Sequence, residues 1–247
     1  MVIKILPLKL PSKELIKKLS VKGLAKMIDH TILKPHVALN DVLRVCEETL
    51  NYGFAVAMIP PVYVKDALKK YPECKIATVI GFPLGYQSLK IKLKEAEEAL
   101  SNGVSEIDMV MNISMFKTGN KEYVLNEISE IVNLAKSVGN IIVKVIIETG
   151  YLSDNEIIEA SKIVKESGAD YVKSCTGFGP RGVTLHDVYL MYSAVEGKIG
   201  VKAAGGIRHA EDTLALISTG ASRIGTSSGV RIIEEYKKLR LKYGFPD

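Results

Sequence analysis

From residue 26 onward, short runs of β-branched and apolar residues alternate with longer stretches whose apolar positions recur at helical spacing. The runs predict eight strands: KMIDHTIL (26–33), FAVAMI (54–59), KIATVIGF (75–82), SEIDMVMN (105–112), IIVKVIIET (141–149), ADYVKSCTG (169–177), KIGVKAAGG (198–206) and SRIGTSSG (222–229). The stretches between them predict helices near 40–52, 61–71, 88–102, 121–137, 153–167, 184–196 and 209–219, with a last one over 229–242. Asn40 is placed to cap the first helix, and Ser153 with Glu156 forms a Ser-x-x-Glu capping box. Gly53, Gly103, Gly139, Gly168 and Gly220 stand just past helix ends. Strict alternation calls for a parallel sheet, and eight units call for its closure into a (β/α)8 barrel, the TIM barrel of the α/β class. An extra N-terminal helix over 12–20 is expected to plug the lower end of that barrel. An open doubly wound sheet competes, but no GxGxxG follows the first strand and no Walker loop occurs. With no linker or low-complexity stretch, 1–247 reads as a single domain, residues 1–25 being an extension ahead of the eight units.

Side chains alternate faces along a strand, so the parity of each run says what points inward. In the fifth run Ile141, Val143, Val145 and Ile147 share one face, which leaves Ile142, Lys144, Ile146 and Glu148 facing the interior. In the fourth, Ile107, Met109 and Met111 face the helices, and Glu106, Asp108, Val110 and Asn112 face inward. Asp29 follows in the first run. Lys173 shares its face with Ala169 and Tyr171, and Lys202 shares its face with Gly200 and Ala204, small neighbours that leave space. Ionised side chains are costly to bury unless paired, and barrel interiors are ordinarily filled by Val, Ile and Leu. Here the inward set balances Asp29, Glu106, Asp108 and Glu148 against Lys144, Lys173 and Lys202. A buried ion-pair network that merely fixes register would use the same residue types. A functional site is favoured because all but Glu106 lie at or near the C-terminal ends of their strands, where barrel active sites are built.

An ordinary lysine with a pKa of about 10.4 is neutral roughly once in 2,500 molecules at pH 7, and is a poor nucleophile. Burial lowers that pKa, and a second ammonium about 6 Å away adds roughly 2–3 kcal/mol, or about two pKa units. The sixth and seventh runs deliver Lys173 and Lys202 side by side at the upper rim, which supplies that geometry for a lysine nucleophile. A metal-dependent route would want histidines converging at strand ends. Instead His30 takes the outward parity, His36 follows a proline in a loop, and His186 and His209 stand at helix starts. Metal dependence is not expected. The turns Gly205-Gly206 and GTSSG (225–229) leave backbone N–H groups open beside a helix start, where barrels often bind phosphate. Ser227 and Ser228 add hydroxyl donors, and Gly177 at the end of the sixth run completes the cradle.

Composition narrows the partners. Of 247 residues, 47% are hydrophobic and 25% charged, the balance of an ordinary globular chain with material for a large core. The net charge of +5 is spread over lysines interleaved with glutamates, so nucleic acid is not favoured while an anionic small substrate is permitted. Cys46, Cys74 and Cys175 are odd in number and widely spaced, which points to neither a disulfide framework nor a zinc site and fits a reducing, cytoplasmic setting. Met1–Leu10 is apolar but is broken by Lys4, Pro7 and Lys9 and lacks a small-residue cleavage site, so it does not read as a signal peptide. No run of about 18 uncharged apolar residues is present to span a membrane. Apolar patches on the predicted helix faces suggest a homo-oligomer.

With these residues placed, the chain resembles the deoxyribose-phosphate aldolases from IDHTIL (28–33) to GTSSG (225–229). EIDMVMN (106–112), KVIIETG (144–150), DYVKSCTGF (170–178) and KAAGGIR (202–208) carry the likeness, in that order. The resemblance implies a class I, Schiff-base-forming lyase that reversibly cleaves 2-deoxy-D-ribose 5-phosphate to acetaldehyde and D-glyceraldehyde 3-phosphate without a cofactor. It further implies that Lys173 forms the imine, that Lys202 depresses the pKa of Lys173, and that Asp108 belongs to the proton relay. By the same likeness Asp29, Thr31 and Lys144 line the pocket, and Gly177, Gly205, Gly206, Ser227 and Ser228 hold the phosphate. Met58 stands where some members carry a cysteine prone to modification by unsaturated aldehydes, which implies tolerance of aldehydes. Some members end in a tail whose terminal tyrosine assists proton transfer, whereas this chain ends Tyr243-Gly244-Phe245-Pro246-Asp247. Two rivals differ in chemistry: a sugar-phosphate isomerase or epimerase would use an acid and base pair and form no imine. A silent scaffold barrel would leave three inward lysines unexplained.

Overall fold

The computed structural model of the protein describes residues 12–246. The expectation for Met1–Leu10 therefore lies outside the described residues. Each predicted run contains one strand: β1 Ile28–Thr31, β2 Val56–Met58, β3 Ile76–Ile80, β4 Glu106–Val110, β5 Ile142–Ile146, β6 Tyr171–Lys173, β7 Gly200–Ala204 and β8 Arg223–Thr226. Neighbours in sequence pair in parallel, and β8 returns to β1, with Asp29 opposite Gly225, so the sheet closes. The strands are shorter than the runs because the last residues of each run leave the pleat to form the upper rim.

Helices fill the intervals: α1 Lys13–Lys18, α2 Val21–Ala25, α3 Leu39–Tyr52, α4 Val64–Lys70, α5 Leu89–Ser101, α6 Ile113–Lys117, α7 Lys121–Val138, α8 Asp154–Glu166, α9 Leu185–Val195, α10 Ala210–Thr219 and α11 Gly229–Lys242. Ser153 accepts from the Glu156 N–H while Glu156 accepts from the Ser153 N–H, as the Ser-x-x-Glu spacing predicts. Asn40 does not cap α3. The helix begins one residue earlier, at Leu39, and the Asp41 carboxylate takes the Ala38 N–H at 3.1 Å, so Asn40 lies inside the first turn. The expected helix over 12–20 is two short ones, because Ser12 caps the first through the Leu15 N–H and Ser20 starts the second through the Gly23 N–H. Their anchors are on α11, where the Tyr236 hydroxyl donates to Leu19 O at 2.7 Å and Arg240 to the same oxygen at 2.6 Å. They brace the last helix near the start of β1, and the lower layer of the barrel is filled by Glu106, Tyr171 and Arg223, the first residues of their strands. Among the described residues no helix is long and apolar enough to cross a membrane.

Two apolar regions result. Between strands and helices, Ile107, Met109, Val143, Val145, Ala203 and Ile224 join one large core. Inside the barrel, Val56, Met58, Ala77 and Val79 form a small cluster of their own. The interior is thus apolar along β2 and β3, and charged along the other strands.

One buried ion pair lies outside the barrel and fixes the end of β4. Lys92 on α5 and Glu127 on α7 have no exposed surface and meet at 2.9 Å. The Lys92 ammonium also donates to Val110 O at 2.8 Å, and Glu127 accepts the Asn112 N–H at 2.9 Å. Burial pushes the lysine pKa down and the glutamate pKa up, each against the pull of its partner. Removing one partner strands a charge, whereas removing both leaves no charge but still frees the Val110 carbonyl and the Asn112 N–H. Lys92→Met is expected to cost about 3–5 kcal/mol in urea unfolding, and Lys92→Met with Glu127→Leu to recover part of it. A double variant no more stable than the single one would contradict that account.

Candidate active site

Closure of the sheet brings seven charged side chains together inside it. Asp29, Asp108, Lys144 and Lys202 have no exposed surface, and Lys173, Glu106 and Arg223 are nearly as buried. The Asp108 carboxylate is shared by three ammoniums: Oδ2 lies 2.7 Å from Lys173 Nζ and 2.6 Å from Lys202 Nζ, and Oδ1 lies 2.9 Å from Lys144 Nζ. Asp29 takes a second contact from Lys202, a longer one of 3.6 Å from Lys144, and a 2.7 Å contact from Arg223. Glu106 forms an ion pair with Lys144 and lies 3.5 Å from Arg223. The register that permits this sets Asp108 opposite Lys144, and Lys173 opposite Lys202.

Three carboxylates facing four cations leave one positive charge in excess if every group is ionised. The number of carboxylates each cation touches decides which one yields. Lys144 meets three, Lys202 and Arg223 two each, and Lys173 only Asp108. The Lys173 pKa falls from 10.5 to about 8: burial lowers it most, Asp108 pulls it upward, and Lys202 and Lys144 lower it further. For Lys144 and Arg223 burial acts in the same sense, yet their carboxylate partners win and raise both above their ordinary values. Burial would raise Asp29, but Lys202, Lys144 and Arg223 bring it to about 2. Asp108 likewise falls well below the usual carboxylate range, the three lysines outweighing its burial. Discharging Lys173 therefore restores neutrality at the smallest electrostatic cost.

Several sequence expectations change. Glu148 is not on the inner face of β5; the strand stops at Ile146, and Glu148 follows it with a left-handed φ of 53° and a carboxylate turned under the rim. Asn112 also leaves the interior: it caps α6, its side chain accepting the Met115 N–H. The space offered by Gly200 is not open, since a Cβ there would meet the Tyr171 ring at 2.2 Å. Ala169 packs in the outer core. Arg223 was missed, although Ile224 faces the helices and the alternation rule applied to β8 would have turned Arg223 inward. Thr31 shares the face of Asp29 and donates to Asp29 O at 2.9 Å. Met58 lies opposite Thr31 in the apolar half of the interior.

The rim loops carry the glycines. Gly177, Gly205 and Gly206 have φ of 88°, 100° and 83°, values that disfavour side chains. Gly182 packs on Gly205, where a Cβ would meet a backbone oxygen at 2.6 Å, so the loops after β6 and β7 touch. Ser227 is exposed, and Ser228 is the residue before α11. Both serines and Thr31 border a cavity of about 520 Å³ that also reaches His30 and Arg44. The histidines stay apart: His30 faces α3 with Nε2 2.6 Å from Glu48, His186 pairs with Asp154, His209 pairs with Glu235, and His36 is exposed. Tyr243 follows the end of α11. Because the helices run antiparallel to the strands they follow, it sits at the end of the barrel opposite the rim.

A closed parallel barrel with a buried, pKa-lowered amine among carboxylates at its strand ends has the design of a barrel aldolase. The chain belongs to the DeoC/LacD family of aldolases, whose profile matches residues 24–233, and is accordingly an enzyme of the lyase class. A protein named deoxyribose-phosphate aldolase from Caldanaerobacter subterraneus subsp. tengcongensis is 53% identical over 227 residues, 91% of this chain and 98% of that protein. One of the same name from Thermococcus gammatolerans is 49% identical over 215 residues, 85% of this chain and 95% of that one. The solved structure described as a unique tetrameric deoxyribose phosphate aldolase from Aeropyrum pernix superposes with a TM-score of 0.83 at 36% identity, covering 93% of this chain and all of that one.

A lysine pKa near 8 makes a specific demand on reactivity. At pH 7 about one Lys173 in ten is neutral, against roughly one in 2,500 for an ordinary lysine. Labelling of Lys173 by a small amine-reactive reagent, followed by peptide mass analysis across pH, is expected to rise about tenfold per unit below pH 7 and to level off above 8. A rise that continues past pH 10 would mean the amine is unperturbed.

Proposed function

We propose that the protein is a class I aldolase that reversibly cleaves 2-deoxy-D-ribose 5-phosphate into acetaldehyde and D-glyceraldehyde 3-phosphate, with Lys173 as the imine-forming amine. The observation that carries this reading is the position of Lys173 in the charge network, a buried amine at the end of β6 that meets Asp108 alone, at 2.7 Å, and whose pKa is lowered to about 8. The names of relatives about half identical over most of the chain supply the substrate.

In the forward direction the neutral amine adds to the C1 aldehyde, and loss of water gives an iminium. The C3 hydroxyl then loses its proton, the C2–C3 bond breaks, and its electron pair flows into the iminium to give an enamine while D-glyceraldehyde 3-phosphate departs. Protonation at C2 and hydrolysis release acetaldehyde and restore the amine, so the cycle balances with water alone and needs no cofactor. Asp108 serves the proton relay through a water. Held so far below the ordinary carboxylate range, it passes the proton on rather than keeping it. Lys202 shares the Asp108 oxygen with Lys173 and, with Lys144, holds the Asp108 pKa down; Asp29 and Thr31 complete the pocket wall. Gly177, Gly205, Gly206, Ser227 and Ser228 receive the phosphate, a role supported by their place on adjoining rim loops and by the start of α11.

The same reading takes the chain as one aldolase domain with residues 1–25 as an extension, which the match over 24–233 supports. A cytoplasmic setting agrees with three buried cysteines that are all free. A homo-oligomer agrees with exposed Val62, Tyr86 and Tyr192 and with the tetramer described for the Aeropyrum relative.

Borohydride reduction in the presence of substrate is expected to inactivate the enzyme and leave an adduct on Lys173, located by peptide mass analysis. An adduct on Lys202 or Lys144 would reassign the amine, and resistance to borohydride would favour isomerase chemistry. Asp108→Asn is expected to lower kcat about 10²–10⁴-fold, read as acetaldehyde release.

A further inference from the structure

The Glu148 carboxylate, expected inside the barrel and found outside its charge network, sits directly beneath the loop after β6. Its Oε2 accepts the Thr176 N–H at 3.0 Å and also the Thr176 hydroxyl proton. Having given that proton away, the hydroxyl oxygen accepts the Phe178 N–H at 3.0 Å. Two alternate N–H groups are thereby turned down toward the carboxylate. The one between them belongs to Gly177, and among the described residues no group accepts it. Glu148 is only 1% exposed, and its other oxygen, Oε1, has no hydrogen-bond partner among the described residues. Gly179 lies against it, since a Cβ there would come within 2.7 Å of the carboxylate. Glu148 also holds its left-handed φ of 53°, a strained conformation for a non-glycine residue. A buried, strained and half-satisfied anion is an expensive way to fill space.

The loop after β8 repeats the device with one difference. The Thr226 hydroxyl accepts the Ser228 N–H at 2.9 Å, which again leaves the residue between, Ser227, at the exposed apex. Its own proton goes to a neutral carbonyl, Ile207 O, at 2.7 Å. On β6 the acceptor is a carboxylate, and hydrogen bonds to an ionised acceptor are roughly twice as strong as neutral ones. The loop bearing Gly177 is thus held more firmly than the loop bearing Ser227.

We propose that Glu148 is a positioning residue for phosphate recognition: through Thr176 it fixes the Gly177 N–H outward, and so sets the preference for phosphorylated over unphosphorylated sugar. The inference rests on the reading of Gly177 as a phosphate ligand. It separates the substrate's anionic handle from its reacting aldehyde, because the hydrogen bonds of Glu148 go to Thr176 and not to Lys173, Lys202 or Asp108.

The test compares the wild type with Glu148→Gln, which keeps the shape but removes the charge, and with Thr176→Val, which removes the hydroxyl. In each variant the ratio of kcat/KM for 2-deoxyribose 5-phosphate to that for 2-deoxyribose is expected to fall about tenfold, through KM rather than kcat. Affinity for inorganic phosphate, measured by calorimetry, is expected to fall by a similar factor. Variants that fold as the wild type does, by circular dichroism, yet keep both the ratio and the phosphate affinity would overturn the inference. So would an equal loss on both sugars, the mark of a merely structural part. The phosphate measurement does not depend on turnover: a wild type that binds phosphate and loses it in Glu148→Gln upholds the inference even if deoxyribose 5-phosphate proves not to be the substrate.

Discussion

Asp108 stands at the centre of a constraint that organises the whole interior: one fully buried carboxylate is asked to neutralise three ammoniums. It does so with help from Asp29 and Glu106, and the set still carries one cation too many. In water such an excess would be trivial. Inside a closed sheet it is costly, and losing a proton is the cheapest way to relieve it, which shows as a lowered pKa. The group that loses it is chosen by geometry, since only Lys173 leans on a single carboxylate. A second ammonium beside Lys173 is thus part of the explanation, but burial is the larger one, and the two act together against the pull of Asp108.

The barrel divides its interior to make this possible. Along β2 and β3 the inner face is Val56, Met58, Ala77 and Val79, an apolar wall that lowers the local dielectric next to the charges. The remaining strands supply the ions, and their lower layer carries Glu106 and Arg223, which complete the neutralisation of Lys144 and Asp29 from beneath. Arg223 also lies 5.4 Å from the Tyr171 ring, and that ring occupies the place a side chain at residue 200 would need. A glycine at the foot of β7 and an arginine at the foot of β8 thus belong to the same packing solution.

Much of this was legible in the sequence because period-two alternation depends only on the pleat. Parity alone turns Asp29, Glu106, Asp108, Lys144, Lys173 and Lys202 inward, and applied to β8 it would have added Arg223. It misplaced Glu148 and Asn112 for one reason: the apolar rhythm of KVIIET and DMVMN continues past the point where the hydrogen-bonded strand stops, at Ile146 and Val110. Beyond that point the backbone dihedrals, not the pleat, aim the side chain, and a φ of 53° at Glu148 is not visible in a string of letters. Nor is the pairing of charges, which depends on the stagger of strands around the barrel. The sequence offers four cations and three anions; which lysine has one partner and which has three is decided only by the register that sets Lys144 opposite Asp108 and Lys173 opposite Lys202.

That dependence explains why so much of the scaffold outside the barrel is spent on fixing strand ends. A shift of one residue in β4 would turn Asp108 toward the helices and put Ile107 or Met109 among the ammoniums. The Lys92 ammonium on Val110 O and the Glu127 carboxylate on the Asn112 N–H grip β4 two and four residues beyond Asp108, and Glu148 grips the chain three residues beyond Lys173. In each place a buried charge is used where a neutral hydrogen bond would have satisfied the backbone. Ionic partners add directionality at a cost in desolvation. The cost is worth bearing where strand register decides how many carboxylates an amine meets.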